Sequence, residues 1–308
     1  MSNDLWPAIE PYHTFTIKRD EHEIYIEQSG NPKGAPIIFL HGGPGGGISD
    51  IQRQLFDPNK YNVILFDQRG CGRSKPNACI SNNTPHHLVD DIEQIRSHLN
   101  ISNFHLFGGS WGSTLALLYA IQYPDRVRSM FLRGIFLGSQ SEIDWIYEDK
   151  GCSHFHPEAY HELIKELDSR NGVVAQYYEK LKANDSLFAA KWSEWEAINS
   201  GINVTKQTMD LFKEPNLAMS LSKISAHFFY NHLFLKPNYI LDNIYKIQHI
   251  KTIIVQGQHD LLCPPKTAVA LNNNMDHCNL YIIPDAGHSL FEPSLLKKVI
   301  ALLNEIKV

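Results

Sequence analysis

A serine set among glycines, Gly108-Gly109-Ser110-Trp111-Gly112, is the segment of this chain best suited to covalent chemistry. A serine hydroxyl is a weak nucleophile, and it becomes useful when a sharp strand-to-helix turn projects it off a sheet. The flanking sequence favours that setting. Phe104-His105-Leu106-Phe107 reads as a short apolar strand, and residues 113–120 read as a largely apolar helix. The glycines let the backbone make the turn and keep side chains off an approaching substrate.

An acyl-transferring serine also needs a base, a group that orients the base, and donors for the oxyanion. With the chain order serine, acid, histidine, the partners are Asp260 and His288. Each lies just past an apolar strand-like run (residues 252–257 and 279–284), where the loops of a parallel sheet gather function. In these roles His288 takes the Ser110 proton and later protonates the leaving amine, while Asp260 holds its tautomer. His259 and Asp285 are local rivals for the same parts. The run His41-Gly42-Gly43-Pro44-Gly45-Gly46-Gly47 also follows a strand-like segment, and its Gly43 backbone N–H would share an oxyanion with that of Trp111. A phosphate cradle is disfavoured, because no glycine stands at Ile48 or Asp50 and no Lys-Ser/Thr closes the loop.

Positioning these groups requires a sheet. Apolar runs at 36–41, 62–67, 104–107, 129–134, 252–257 and 279–284 recur, most of them followed by a turn and helical periodicity such as residues 88–99. That alternation predicts an α/β fold with a mostly parallel sheet covered on both faces. Residues 14–28 alternate polar and apolar, as an antiparallel edge hairpin would. From about residue 139 strand-like runs vanish, and helical spacing dominates at 158–167, 173–181 and 187–198. The expected organisation is a core of residues 1–138 and 241–308, interrupted by a helical cap at 139–240.

Bulk properties narrow the function further. With 308 residues and 43% hydrophobic content, the chain can bury a large core. A net charge of −5 offers no basic surface for nucleic acid or anionic membrane. No basic-then-apolar leader opens the chain, and no apolar run approaches the ~20 residues that span a bilayer. Five scattered cysteines without C-x-x-C spacing point to reduced thiols and a cytoplasmic protein. His161-Glu162-Leu163-Ile164-Lys165 has lysine where H-E-x-x-H needs its second histidine, so neither metal nor other cofactor is expected.

Together, His41-Gly42-Gly43-Pro44-Gly45, Asp67-Gln68-Arg69-Gly70-Cys71-Gly72-Arg73-Ser74, Gly108-Gly109-Ser110-Trp111-Gly112-Ser113 and Leu132-Arg133-Gly134 resemble the proline iminopeptidase (prolyl aminopeptidase) family of α/β-hydrolases. The likeness runs essentially end to end, through Trp145-Ile146-Tyr147, Trp192-Ser193-Glu194-Trp195-Glu196 and Gly287-His288-Ser289. It implies an α/β-hydrolase fold with a helical cap. It also implies release of N-terminal proline from short peptides with a free N-terminus, by Ser110, Asp260 and His288. By the same resemblance Glu196 is an acid that anchors the substrate amine, and Phe136 and Tyr147 are candidate walls for the proline ring. One departure stands out. Where the family carries a second acid, this chain reads Ser222-Lys223-Ile224-Ser225-Ala226-His227-Phe228-Phe229, with Ser225 at that place. Losing a buried charge-assisted contact weakens the amine trap by roughly 1–3 kcal/mol. An amidase or esterase using the same triad under an altered cap is therefore the alternative.

Overall fold

The computed structural model describes residues 4–306; the first three residues of the stretch read for a leader lie outside them. Eight strands form one sheet in the order β1-β2-β4-β3-β5-β6-β7-β8. Their ranges are β1 His13–Arg19, β2 His22–Gly30, β3 Ala35–Leu40, β4 Tyr61–Phe66, β5 Phe104–Ser110, β6 Val127–Ile135, β7 Lys251–Gly257 and β8 Cys278–Ile283. β1 pairs with β2, and β2 with β4, antiparallel; every pairing from β4 through β8 is parallel. Residues 14–28 thus form the expected edge hairpin. Among the described residues no helix is long and apolar enough to cross a membrane.

Because successive side chains on a strand point to opposite faces, each apolar strand feeds two cores. On β3, Ile38 and Leu40 join the cluster under α1 (Pro85–His98) and α2 (Trp111–Gln122). Ile37 and Phe39 join the other, where Phe39, Phe107 and Phe131 stack in a row at 5.3 Å spacing. Every residue of α2 from Trp111 to Ile121 is buried, as its largely apolar sequence favours, and the hydroxyls of Ser113 and Thr114 donate to the Ser110 and Phe136 carbonyls. Helix α1 begins three residues before the periodic stretch read from sequence, because Thr84 caps it and Pro85 suits its first turn.

Between β6 and β7 the chain is helical. It runs through α3 (Gln140–Tyr147), α4 (Pro157–Ile164), α5 (Val173–Lys182), α6 (Ser186–Asn199), α7 (Lys206–Phe212), α8 (Pro215–Tyr230) and the short α9 (Tyr239–Asp242). Helix α3 starts in a capping box made by Ser139 and Glu142. Helix α8 has no counterpart in the periodicity, because its three buried serines (Ser220, Ser222 and Ser225) blur the apolar stripe. Two further helices, α10 (Pro265–Asn272) and α11 (Pro293–Glu305), complete the layers flanking the sheet. Since β3, β5, β6, β7 and β8 run parallel, their C-terminal loops emerge along one edge, where such sheets place their sites.

Candidate active site

Ser110 is the last residue of β5, and α2 begins at the next residue. Strand β5 is therefore longer than the apolar run, because Gly108 and Gly109 still pair with β6. The register then slips between Gly109 and Ser110, and Ser110 adopts φ 57°, ψ −130°, a conformation side chains avoid. A Cβ at Gly112 would collide with the Leu40 carbonyl oxygen, so only glycine lets α2 start this close to the end of β3. Ser113 Oγ donates to the Ser110 carbonyl at 2.7 Å and accepts from the Phe136 N–H at 3.2 Å, pinning the turn to the end of β6. The Cys263 thiol lines the same small recess as Ser110, and burial pushes its pKa well up.

Beyond β7 and β8, Asp260 and His288 meet. The His288 Nδ1 lies 2.9 Å from both carboxylate oxygens of Asp260. The same carboxylate accepts the Cys263 N–H at 2.8 Å and Gln256 Nε2 at 2.9 Å, so three donors satisfy this buried acid. With its proton on Nδ1, the neutral ring keeps its lone pair on Nε2. His288 and Ser110 line the same cavity. The rivals His259 and Asp285 are exposed, whereas Asp260 and His288 are buried. The sequence reading assigned no role to three supporting residues. Gln256 also accepts the Ile135 N–H, Arg133 Nη1 donates to the His288 carbonyl at 2.8 Å, and Glu292 accepts the N–H groups of Gly287 and Ile202. Arg133 left a signal in the Leu132-Arg133-Gly134 motif, and Gln256 as a polar residue near the end of an apolar strand run.

The glycine loop is tied down rather than free. The Gln68 N–H donates to His41 Nε2 at 3.0 Å, and His41 Nδ1 lies 2.9 Å from the Gly42 carbonyl and 3.2 Å from the Gly47 N. Burial holds the His41 pKa below its ordinary value, which favours the neutral ring. Gly46 N–H closes the turn onto Gly42 at 3.2 Å, and Asp67 accepts the Ile48 N–H at 2.7 Å. A Cβ at Gly42 would stand 3.3 Å from that of Ser110, so the loop lies directly against the elbow. Trp111, whose indole donates to Gln68 at 2.9 Å, is the first residue of α2, and its backbone N–H has no partner within the helix.

Over these groups lies a cavity of about 600 Å³, lined by Ser110, His288, Arg133 and Glu196 among apolar residues of α7 and α8. A recess of about 20 Å³, room for roughly one water, opens beside Ser110 and Gly43. Its walls include Phe136, Tyr147, Phe229, Leu262 and Cys263, and it holds the Glu196 carboxyl. Glu196 is only 9% exposed and accepts a hydrogen bond from the Tyr147 hydroxyl. Burial raises its pKa above the usual glutamate range, while the Tyr147 hydrogen bond and the charge of His288 oppose that rise. Tyr147 stacks on Trp192 at 4.2 Å, and Phe136 meets Phe229 edge-on at 5.8 Å. Glu194, two residues away, turns outward to Lys213 at 3.6 Å. Ser225 donates instead to the Pro44 carbonyl at 2.8 Å.

Among the described residues two groups offer three metal-ligating atoms within 4.8 Å of one another: Glu21, His22 and Cys79, and Asp260, Cys263 and His288. In the second, Asp260 and His288 already hydrogen-bond each other.

Residues 35–294 match the family described as the alpha/beta hydrolase fold. The chain is 43% identical to a probable proline iminopeptidase of Leptolyngbya boryana, over 96% of this chain and 94% of that one. It is 41% identical to the proline iminopeptidase of Arabidopsis thaliana (98% and 82%) and 40% identical to that of Neisseria meningitidis serogroup A (98% and 98%). Among solved structures, an esterase from Exiguobacterium antarcticum superposes with a TM-score of 0.68 at 21% identity, covering 95% of this chain and 98% of that one. A bromoperoxidase from Bacillus anthracis gives 0.67 at 19%, covering 96% and 100%; both likenesses concern the fold alone. The near-full-length identity to curated relatives is of another order, and by it the chain belongs to the proline iminopeptidase family of α/β-hydrolases.

Proposed function

We propose that the protein is a serine aminopeptidase that releases N-terminal proline from short peptides through an acyl-enzyme at Ser110. The observation that carries this reading is the buried Glu196 carboxyl in the recess that Ser110 also lines. A protonated N-terminal amine placed there gains a charge-assisted hydrogen bond, whereas a blocked or internal residue leaves the acid unpaired. Phe136, Tyr147 and Phe229 give the recess the apolar walls a pyrrolidine ring needs, and the ring enters by widening a space that now holds about one water.

In the reaction, His288 Nε2 accepts the Ser110 proton as Oγ attacks the prolyl carbonyl. Asp260 stabilises the imidazolium, and the N–H groups of Gly43 and Trp111 receive the oxyanion. The imidazolium then protonates the leaving amine, and water activated by the same ring hydrolyses the acyl-enzyme. Residues 139–240 act as the selecting cap on a core of 1–138 and 241–308. The five unpaired cysteines support a cytoplasmic location.

A second reading, an amidase or esterase of altered specificity, draws on Ser225. Its hydroxyl is committed to Pro44, so α8 offers no acid to the amine at that position. Chromogenic amides of proline, alanine and leucine, free and N-blocked, assayed beside short-chain esters, separate the two. Preferential cleavage of the free prolyl amide is expected; robust ester turnover without prolyl activity overturns the peptidase reading.

A further inference from the structure

The oxyanion loop is gripped from above by the helical layer. Ser225 Oγ donates to the Pro44 carbonyl at 2.8 Å, and both groups are buried. Five residues earlier on α8, Ser220 Oγ lies 2.9 Å from the Gly45 carbonyl, nearer than its own-helix alternative at Leu217 (3.2 Å). The fit is close: a Cβ at Gly45, where φ is +103°, would collide with the Ser220 carbonyl oxygen. Pro44 and Gly45 form the crest of the turn that Gly46 closes onto Gly42. The base of that turn is held by His41 and lies against Ser110.

From this arrangement we infer that Ser220 and Ser225 are positioning residues, which hold the Gly43 N–H at the oxyanion site by anchoring the next two carbonyls to α8. The inference rests on the serine-hydrolase reading above and adds a role for α8 that is separate from amine recognition. An oxyanion donor contributes only if it stands at the right place before charge develops. A five-residue glycine-rich turn does not hold such a place by itself, because glycine restricts the backbone least. Two buried hydroxyls on one helix, each bonded to a successive carbonyl of the turn, remove that freedom. An ionised carboxylate at residue 225 could not do so, since it accepts hydrogen bonds and would repel the Pro44 carbonyl oxygen. In this chain the residue that stands where the resemblance implies an acid therefore serves the loop.

The test compares wild type with Ser220→Ala, Ser225→Ala, the double variant and Ser225→Thr, which keeps the donor. Steady-state kinetics on a free prolyl amide and on a short-chain ester are read together with affinity for an alkyl trifluoromethyl ketone, whose serine adduct carries an oxyanion. Loss of one oxyanion donor lowers kcat by about 10²–10³-fold, so displacing it lowers kcat by about 10-fold in the alanine variants. The same factor is expected on both substrates and in ketone affinity, with KM within about two-fold, since ground-state binding is untouched. Ser225→Thr is expected to restore most of the loss. Unchanged kcat in the double variant overturns the inference. So does a loss confined to KM or to the preference for free over blocked amines, because that would make residue 225 a substrate contact. Full activity in Ser110→Ala would instead remove the serine reading itself, a separate outcome.

Discussion

The elbow between β5 and α2 and the helical layer above it meet at one cavity yet are built on different principles. At the elbow, geometry is set by backbone. Ser110 is held at φ 57°, Gly112 admits the end of β3, and parallel pairing aligns the loops carrying Asp260 and His288. In the helical layer, geometry is set by side chains. Glu196 on α6 meets Tyr147 from α3, while Ser220 and Ser225 on α8 reach the glycine loop. On the proposed function, chemistry common to many substrates would sit on the rigid part, and selection on the part that can vary without disturbing the sheet.

This contrast can be broken or sharpened by substitution. Ser110→Ala is expected to reduce kcat by about 10⁴–10⁶-fold on amides and esters alike, with an unchanged circular dichroism spectrum. Turnover at the wild-type rate on either substrate would move the chemistry elsewhere. Asp260→Asn should lose about 10⁴-fold, because an amide no longer fixes the proton on Nδ1 of His288. Glu196→Gln should behave otherwise. It is expected to cut kcat/KM for free prolyl amides by about 10–100-fold, the loss of one buried charge-assisted contact, while ester turnover stays near wild type. Equal losses on both substrates would erase the division between the two regions.

Smaller effects concern stability. Ser110→Gly should be more stable than Ser110→Ala by about 1 kcal/mol in urea denaturation, because glycine relieves a backbone strained for any side chain. A difference of zero would mean the elbow stores no strain. For Glu196, burial raises the folded pKa above the unfolded one. Between those two values the native state binds more protons than the unfolded state, so stability falls as pH rises through that window. Glu196→Gln removes the titration, and its melting temperature relative to wild type is expected to climb from pH 4 toward pH 8. A pH-independent difference would show that Glu196 ionises without penalty.

The two regions also differed in how far they could be read from sequence. Ser110, Asp260 and His288 were legible because each ends or follows a short apolar run and fits a fixed chain order. The glycine loop was legible through composition. The supporting roles of Gln256, Arg133 and Glu292 were not, since each joins segments far apart in sequence: Arg133 meets the His288 carbonyl across 155 positions, Gln256 the Ile135 N–H across 121 and Glu292 the Ile202 N–H across 90. Helix α8 was hidden for a related reason. Its serines look like poor helix formers, and only the packed chain shows that Ser220 and Ser225 bond to the glycine loop.

The sequence by itself marked most of the sheet's apolar strands, the helical stretch that interrupts them, and a candidate nucleophile with two candidate partners. These depend on local apolar periodicity and on turn residues whose conformational demands are short-range. Tertiary structure decided the rest. It buried Glu196 beneath Tyr147 and placed Ser225 on Pro44 instead of in the recess. Burial and hydrogen-bond partners arise between segments distant along the chain, so a glutamate or a serine carries no mark of them until the layers close.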